Sequence, residues 1–144
     1  MRVLVQRSGK SSVKVDGKTV GEINQGLVLL VGFTEGDSLE IIRTMAKKIV
    51  QLRIFPDEND IMNKSILDFG GSILSVSQFT LYGDTSKGNR PSYIKAMKGE
   101  NAINLYESFN NELKKYVNVA TGIFGADMNV FIENIGPTTI LMER

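Results

Sequence analysis

The segment of the sequence with the most promising chemistry is residues 75–84, where a predicted strand gains polar side chains as it approaches a glycine. Because side chains alternate between the two faces of a strand, every second residue here should share one face. Those residues are Leu74, Val76, Gln78, Thr80 and Tyr82. A buried amide or hydroxyl without a hydrogen-bond partner destabilises a fold. The polar groups of this face therefore either reach water at the end of an ordinary strand or contact a ligand.

The chain contains no cysteine and no histidine. These absences exclude a disulfide, a thiolate nucleophile, a Cys/His zinc site and a catalytic triad that uses imidazole as its base. An enzyme with this sequence must work with carboxylates, lysine, tyrosine, hydroxyls, backbone dipoles, water or its own substrate. No pair of acidic residues has the spacing of metal ligands, so we expect neither a metal nor another cofactor.

The overall composition is that of a single globular domain. A length of 144 residues suits one domain, and a hydrophobic content of 42% is sufficient for a buried core. The sequence has no apolar run long enough to span a bilayer, and it has no secretion leader. We therefore expect a cytoplasmic protein that does not bind membranes.

The net charge of +1 argues against broad electrostatic wrapping of nucleic acid. The charges are nevertheless unevenly distributed, because residues 85–99 contain no acid. This segment carries Lys87, Arg90, Lys95 and Lys98, with Tyr93 among them. A solvated loop followed by a short helix explains these cations as well as local phosphate binding does, so both interpretations stay open.

The first part of the chain is predicted to form strands at residues 3–7, 12–15, 19–23 and 27–33. Asp16-Gly17 is typical of a two-residue hairpin loop between the second and third of these strands. A helix should begin after Asp37, with Glu40 three residues later completing a capping box, and should run to about Leu52.

The second part of the chain begins with a turn predicted at Gly70-Gly71, before the polar strand. A second helix is predicted for residues 101–117, in which aromatic residues such as Tyr106, Phe109 and Tyr116 should be buried. The last strands are predicted at residues 119–124, 128–133 and 138–142. Several strands with two main helices indicate a single α+β domain comprising residues 1–144.

Two motifs resemble those of the D-aminoacyl-tRNA deacylase family: Ser-Gln-Phe-Thr-Leu at residues 77–81 and Asn-Ile-Gly-Pro-Thr-Thr at residues 134–139. Further matching blocks follow in family order at residues 1–7, 52–55, 62–63, 87–92 and 121–128. The resemblance therefore spans essentially the whole chain. It implies a barrel-like domain of mostly antiparallel β-sheet with two main helices.

The resemblance also implies the reaction. The expected substrate is D-aminoacyl-tRNA, and the expected step is hydrolysis of the ester between the amino acid and the 3′-terminal ribose. Glycine mischarged on tRNA is a further expected substrate, and the biological role would be chiral proofreading in translation. The expected catalytic residues are Ser77, Gln78, Phe79 and Thr80. Backbone N–H groups around Gln78 and Phe79 would stabilise the oxyanion, with Thr80 close to the scissile carbonyl.

Two roles for Thr80 compete at this point. As a nucleophile it would need an activating base, and the motif contains no histidine, lysine or aspartate to act as one. Alternatively, Thr80 positions the substrate while the 2′-hydroxyl of the tRNA ribose assists the attack of water. We favour this substrate-assisted version.

The second motif implies how the enzyme selects its substrate. By resemblance, the Gly136-Pro137 peptide bond is cis and is inserted into the active site of a partner subunit, so the protein should be a homodimer. A wall of backbone there would exclude the side chain of an L-amino acid by clash. Arg7 would anchor this loop. Phe124 and Met128 match family positions that line the pocket for the terminal adenosine of tRNA.

Two other classes of function keep the same fold. A non-catalytic protein could bind the 3′ end of tRNA through residues 85–99 and the Phe124/Met128 pocket. A hydrolase of small D-aminoacyl esters would instead need no tRNA. The intact motifs favour the deacylase, because a simple binder has no need of Gln78, Thr80 and Gly136-Pro137 together.

Overall fold

The computed structural model describes every residue from Met1 to Arg144. The strands are β1 (Arg2–Ser8), β2 (Ser11–Val15), β3 (Lys18–Ile23), β4 (Gly26–Gly32), β5 (Phe55–Pro56), β6 (Met62–Lys64), β7 (Ser72–Ser77), β8 (Val119–Thr121), β9 (Asn129–Phe131) and β10 (Asn134–Glu143). The helices are α1 (Leu39–Val50), α2 (Ile66–Phe69) and α3 (Gly99–Lys114), with a 3-10 turn at Phe79–Tyr82. None of these helices is long and apolar enough to cross a membrane.

The strands form three open sheets. The largest has the order β10-β1-β4-β7-β8, in which β4 and β7 pair in parallel, as do β7 and β8. The second has the order β3-β2-β9, and β5 pairs with β6 in a short ribbon. Every other pairing is antiparallel, as the family resemblance implies for most of the domain.

The core lies on both faces of the five-stranded sheet. On one face, Leu27, Leu29 and Val31 of β4 pack with apolar residues of α1 and α3. On the other face, Val28 packs with Val13 and Ile23 of the three-stranded sheet. Because both of its faces are buried, β4 is an almost continuously apolar strand, as is typical of a central strand. The domain therefore has three layers: helices, the large sheet and the small sheet.

The α+β class and most of the predicted strands are confirmed, with ends that differ by a few residues. The Asp16-Gly17 hairpin is also confirmed. Both residues have positive φ, 49° and 75°, as a type I′ turn requires. Local signals decide these elements, so the sequence is sufficient to predict them.

The predicted start of the first helix is wrong by one residue. Ser38 is the N-cap, and its side chain accepts a hydrogen bond from the N–H of Ile41. Asp37 is instead almost fully buried and binds the Met1 amino group at 2.6 Å and the N–H of Thr34 at 2.9 Å. A buried carboxylate needs such charged and polar partners, which outweigh the benefit of capping a helix. The helix ends at Val50 rather than near Leu52.

Other differences concern short or terminal elements. Helix α2 was not predicted, although Ser65 and Asp68 form a reciprocal capping box at its start. Helix α3 ends at Lys114, so Tyr116 lies beyond it and is 43% exposed rather than buried. The last strand begins at Asn134, so the Gly136-Pro137 pair lies within β10 instead of between two strands.

Phe109 provides a test of this packing. Its side chain is fully buried between α3 and the large sheet, so Phe109→Ala should lower the free energy of unfolding by about 3–5 kcal/mol. The exposed aromatic Tyr116 offers a matched control, and Tyr116→Ala should cost less than about 1 kcal/mol. Urea unfolding followed by circular dichroism measures both values. Equal losses from the two variants would contradict the assigned core.

Candidate functional site

The strand that carries the first motif ends earlier than its residue pattern predicts. β7 stops at Ser77, and residues Phe79–Tyr82 form a 3-10 turn, so the prediction of a strand through this region is wrong. The N–H of Gln78 makes the last ladder-like bond, to the carbonyl of Val31 at 2.7 Å. The carbonyl of Gln78 then accepts the first bond of the turn, from the N–H of Leu81 at 3.3 Å.

This change from strand to turn leaves two backbone donors without a partner inside the turn. Phe79 and Thr80 are its first residues, and N–H groups at such positions have no acceptor within a helical turn. The N–H of Gln78 is already used by Val31, which limits the expected oxyanion donors to its successors. The side-chain amide N–H of Gln78 donates a hydrogen bond to the hydroxyl oxygen of Thr80. The proton of that hydroxyl is therefore available to another acceptor.

A cavity of about 620 Å³ opens beside this turn. The residues of the sequence-based prediction that line it are Ser77, Gln78, Phe79, Phe124 and Met128. Thr80 does not line the cavity but is exposed next to it, held by its bond from Gln78. The structure thus brings the motif at residues 77–81 and the family block at residues 121–128, about 45 residues apart in sequence, into one site.

Two residues to which the sequence assigned no role position the turn. A methyl group on Gly32 would lie 2.9 Å from the carbonyl oxygen of Gln78, so only glycine allows β4 to approach the turn so closely. The guanidinium of Arg2 donates to the carbonyl of Leu81 at 2.8 Å and stacks on the ring of Tyr82. Burial, followed by the nearby charge of Asp37, raises the pKa of Tyr82 to about 12. Its neutral ring therefore serves as a packing group behind the site.

The far side of the cavity is supported by α3. The hydroxyl of Tyr106 donates to the carbonyl of Ser75 at 2.8 Å, which joins the helix to β7 just before the motif. The ring of Tyr106 also packs against Phe124, with their centroids 5.7 Å apart. Ala102 and Met97 complete this apolar wall, although no sequence signal distinguished them from ordinary core residues.

Residues 85–99, which contain no acid, form another wall of the cavity. Tyr93 and Gly99 line it, and the ring of Tyr93 meets that of Phe79 edge-on at 5.2 Å. The segment is tied at its start by Asp84, whose backbone exchanges two hydrogen bonds with Ser92. Hydrogen bonds from Ser86, then the nearby Lys95, lower the pKa of Asp84 to about 2. This carboxylate is therefore ionised at any physiological pH.

The Gly136-Pro137 pair does not take part in this cavity. Its peptide bond is cis, and both residues are exposed on β10, at the edge of the large sheet. Strands β1 and β4 separate β10 from β7. The guanidinium of Arg7 lies near the pair: one of its nitrogens is 3.5 Å from the carbonyl oxygen of Gly136, and another donates to the carbonyl of Ile54 at 2.8 Å.

The cavity supplies few titratable groups. Among its lining residues only Tyr93 and Asp127 can ionise, and neither hydrogen-bonds Thr80. No group of three or more acidic side chains comes together anywhere in the structure to hold a metal ion. The arrangement instead combines two backbone donors at the start of a turn, a hydroxyl and an apolar pocket. Such a site can hold an ester by its carbonyl and bind a flat apolar group beside it.

Comparison with known proteins shows which family has this sequence and fold. The family model described as D-Tyr-tRNA(Tyr) deacylase matches residues 4–143. A D-aminoacyl-tRNA deacylase of Clostridium botulinum strain Langeland is 56% identical over 144 residues, covering 99% of this chain and 97% of that protein. A D-aminoacyl-tRNA deacylase of Clostridium novyi is 52% identical with the same coverage.

Solved structures share the fold over the full length. A c-Myc DNA Unwinding Element Binding Protein has a TM-score of 0.94 at 39% identity, covering 100% of this chain and 99% of that one. A probable eukaryotic D-amino acid tRNA deacylase has a TM-score of 0.83 at 20% identity, covering 98% and 97%, and this likeness concerns the fold alone. From the family match and the identity to its bacterial relatives, the chain belongs to the D-Tyr-tRNA(Tyr) deacylase family, a family of hydrolases that act on D-aminoacyl-tRNA.

Proposed function

We propose that the protein is a chiral proofreading enzyme of the cytoplasm, which hydrolyses D-aminoacyl-tRNA and glycine mischarged on tRNA and spares the L-esters. The observation that carries the proposal is the turn at Phe79–Tyr82. Its first two N–H groups have no partner within the turn, and the hydroxyl of Thr80 lies beside them, next to an apolar cavity. Free donors beside a pocket are what an acyl-transfer site needs to stabilise a tetrahedral oxyanion.

The ester carbonyl would bind at the N–H groups of Phe79 and Thr80. Backbone donors are fixed by the fold, so they require little reorganisation as negative charge develops on the oxygen. Ser77 and Gln78 complete this side of the site, with Gln78 holding the hydroxyl of Thr80 in place. An aminoacyl ester is already reactive, so positioning and a few such interactions are enough.

The terminal adenosine of tRNA would occupy the apolar part of the cavity. Phe124 offers an aromatic face and Met128 a polarizable thioether, and both side chains are half-buried rather than sealed in the core. These groups suit a purine ring. A nucleoside bound there would carry its 3′-ester toward the turn at the other end of the same cavity.

Thr80 would act as a positioning group rather than as a nucleophile. Its oxygen accepts a hydrogen bond from Gln78, and no base is placed to remove its proton. The remaining hydroxyl proton can donate to the substrate. The attack of water would then be assisted by the 2′-hydroxyl of the terminal ribose, which lies next to the ester in every substrate.

Discrimination against L-amino acids would come from a second copy of the chain. Gly136 and Pro137 are exposed and lie outside the cavity of their own protomer, and no atom lies within 4 Å of the position of a methyl group on Gly136. In a homodimer this pair would enter the cavity of the partner and form a wall of backbone. Such a wall rejects an L side chain by clash and leaves room for a D residue or for glycine.

The role of Thr80 is tested by comparing the effect of a Thr80 variant with the effect of a substrate that lacks the 2′-hydroxyl. Thr80→Ala should lower kcat/KM on D-Tyr-tRNA by about 10- to 100-fold, because the ester is held less well. On a tRNA that ends in 2′-deoxyadenosine, kcat/KM of the native enzyme should fall by about 10²- to 10⁴-fold, because this substrate lacks the assisting hydroxyl.

Single-turnover hydrolysis measures both losses, with Thr44→Ala on the exposed face of α1 as the control. An acyl adduct trapped on Thr80, or full activity on the 2′-deoxy substrate, would contradict substrate assistance.

The cross-subunit wall is tested by Gly136→Ala. Because the added methyl group meets nothing within its own protomer, the thermal unfolding temperature should be unchanged. The variant should nevertheless lose activity on D-Tyr-tRNA, because the methyl group would intrude on the substrate in the partner's cavity. Equal activity of this variant and the native enzyme would argue against a wall at this position.

Mixed dimers give a sharper version of the same test. Gly136→Ala subunits mixed with Gln78→Ala/Thr80→Ala subunits should regain activity, with about a quarter of the native number of intact sites after random exchange. This rescue requires that the two groups come from different subunits. An absence of rescue in verified heterodimers would mean that each site is built from one chain.

A further inference from the structure

We propose that the basic segment, residues 85–99, binds the phosphate backbone of the 3′ end of tRNA and so orients the RNA strand toward the cavity. This proposal rests on the function proposed above and assigns a second contact surface to it. The cavity itself is apolar where it would hold adenosine, and none of its lining residues is a lysine or arginine. Phosphates that precede the adenosine must therefore be bound outside it.

The basic segment continues directly from the cavity wall. Tyr93, Ala96, Met97 and Gly99 line the cavity, and Lys95 and Lys98 alternate with them along the chain. Lys87 and Arg90 precede them in the loop closed by the backbone pairing of Asp84 with Ser92. Gly99 is close to the adenosine side, because a methyl group on it would lie 3.8 Å from the ring of Phe124. A nucleic acid strand that leaves the pocket along this wall passes over the segment.

Three cations of the segment have no acidic partner. Lys87, Arg90 and Lys98 are exposed and form no salt bridge, whereas Lys95 pairs with Asp84 at 3.3 Å. Glu100, which follows the segment, and Asp127 in the cavity wall form no salt bridge with these cations either. Unpaired cations are free to neutralise phosphates and to release their counterions, which gives affinity that depends on salt.

The segment is held in place by bonds to its neighbours. The hydroxyl of Thr34 donates to the carbonyl of Lys95 at 2.6 Å, and the N–H of Met97 donates to the carbonyl of Phe33 at 2.9 Å. Both partners follow directly from β4, the central strand of the domain. Because this backbone is already ordered, binding of the RNA strand costs less conformational entropy than binding to a free loop would.

A second basic surface serves as the competitor. Lys47, Lys48 and Arg53 line a separate depression that shares no residue with the catalytic cavity. Positive charge alone would make this surface as good a binding site for tRNA. Continuity with the cavity distinguishes the basic segment, so neutralising two lysines of the competitor is the matched control.

The test compares a long and a short substrate. The triple variant Lys87→Gln/Arg90→Gln/Lys98→Gln and the control Lys47→Gln/Lys48→Gln are assayed on D-Tyr-tRNA and on 3′-D-tyrosyl-adenosine, which has no phosphate. For the triple variant, kcat/KM on D-Tyr-tRNA should fall by about 10- to 100-fold near physiological salt. The slope of log kcat/KM against log salt should shrink by about 2, as expected for three lost contacts to a single strand.

Hydrolysis of the short substrate, 3′-D-tyrosyl-adenosine, distinguishes a damaged cavity from a loss of phosphate contacts. Unchanged hydrolysis of D-tyrosyl-adenosine by the triple variant shows that its cavity is intact and supports the proposal. A native salt slope in the triple variant, a reduced slope in the control, or an equal loss on both substrates would overturn it. If the native enzyme hydrolyses neither substrate, the proposed function itself fails.

Discussion

The hydrogen bond from the N–H of Gln78 to the carbonyl of Val31 is the constraint on which the rest of the site depends. It is the last bond between β7 and β4, and after it the chain turns away from the sheet. The turn that follows begins with the N–H groups of Phe79 and Thr80, which have no partner within the turn. Unpaired backbone donors are costly when buried, and both of these residues are exposed.

The remainder of the domain keeps that turn in position. Gly32 lets β4 approach the carbonyl of Gln78, and Arg2 binds the carbonyl of Leu81 from the other side. Tyr106 joins α3 to β7 just before the motif. The proposed site is therefore built from backbone groups held by three layers of packing, which is how a chain without histidine or cysteine would provide an oxyanion site.

Local signals were sufficient to predict the Asp16-Gly17 hairpin, the buried strand β4 and the apolar faces of α1 and α3. The turn at Phe79–Tyr82 was not predictable in this way, because polar and apolar residues continue to alternate past the end of β7. Contacts from Arg2 and Gly32, both distant in sequence, decide the outcome there. The proposed site residues come from the family motifs, since Phe124 and Met128 alone resemble ordinary core residues.

The most direct measurement is the paired hydrolysis of D-Tyr-tRNA and L-Tyr-tRNA by sub-stoichiometric native protein. The account predicts multiple turnovers on the D-ester, with the L-ester decaying only at the buffer rate. Equal rates on the two esters would contradict the backbone wall as the source of selectivity. Equal binding of both with no release above the buffer rate would instead favour a non-catalytic binder of the tRNA 3′ end.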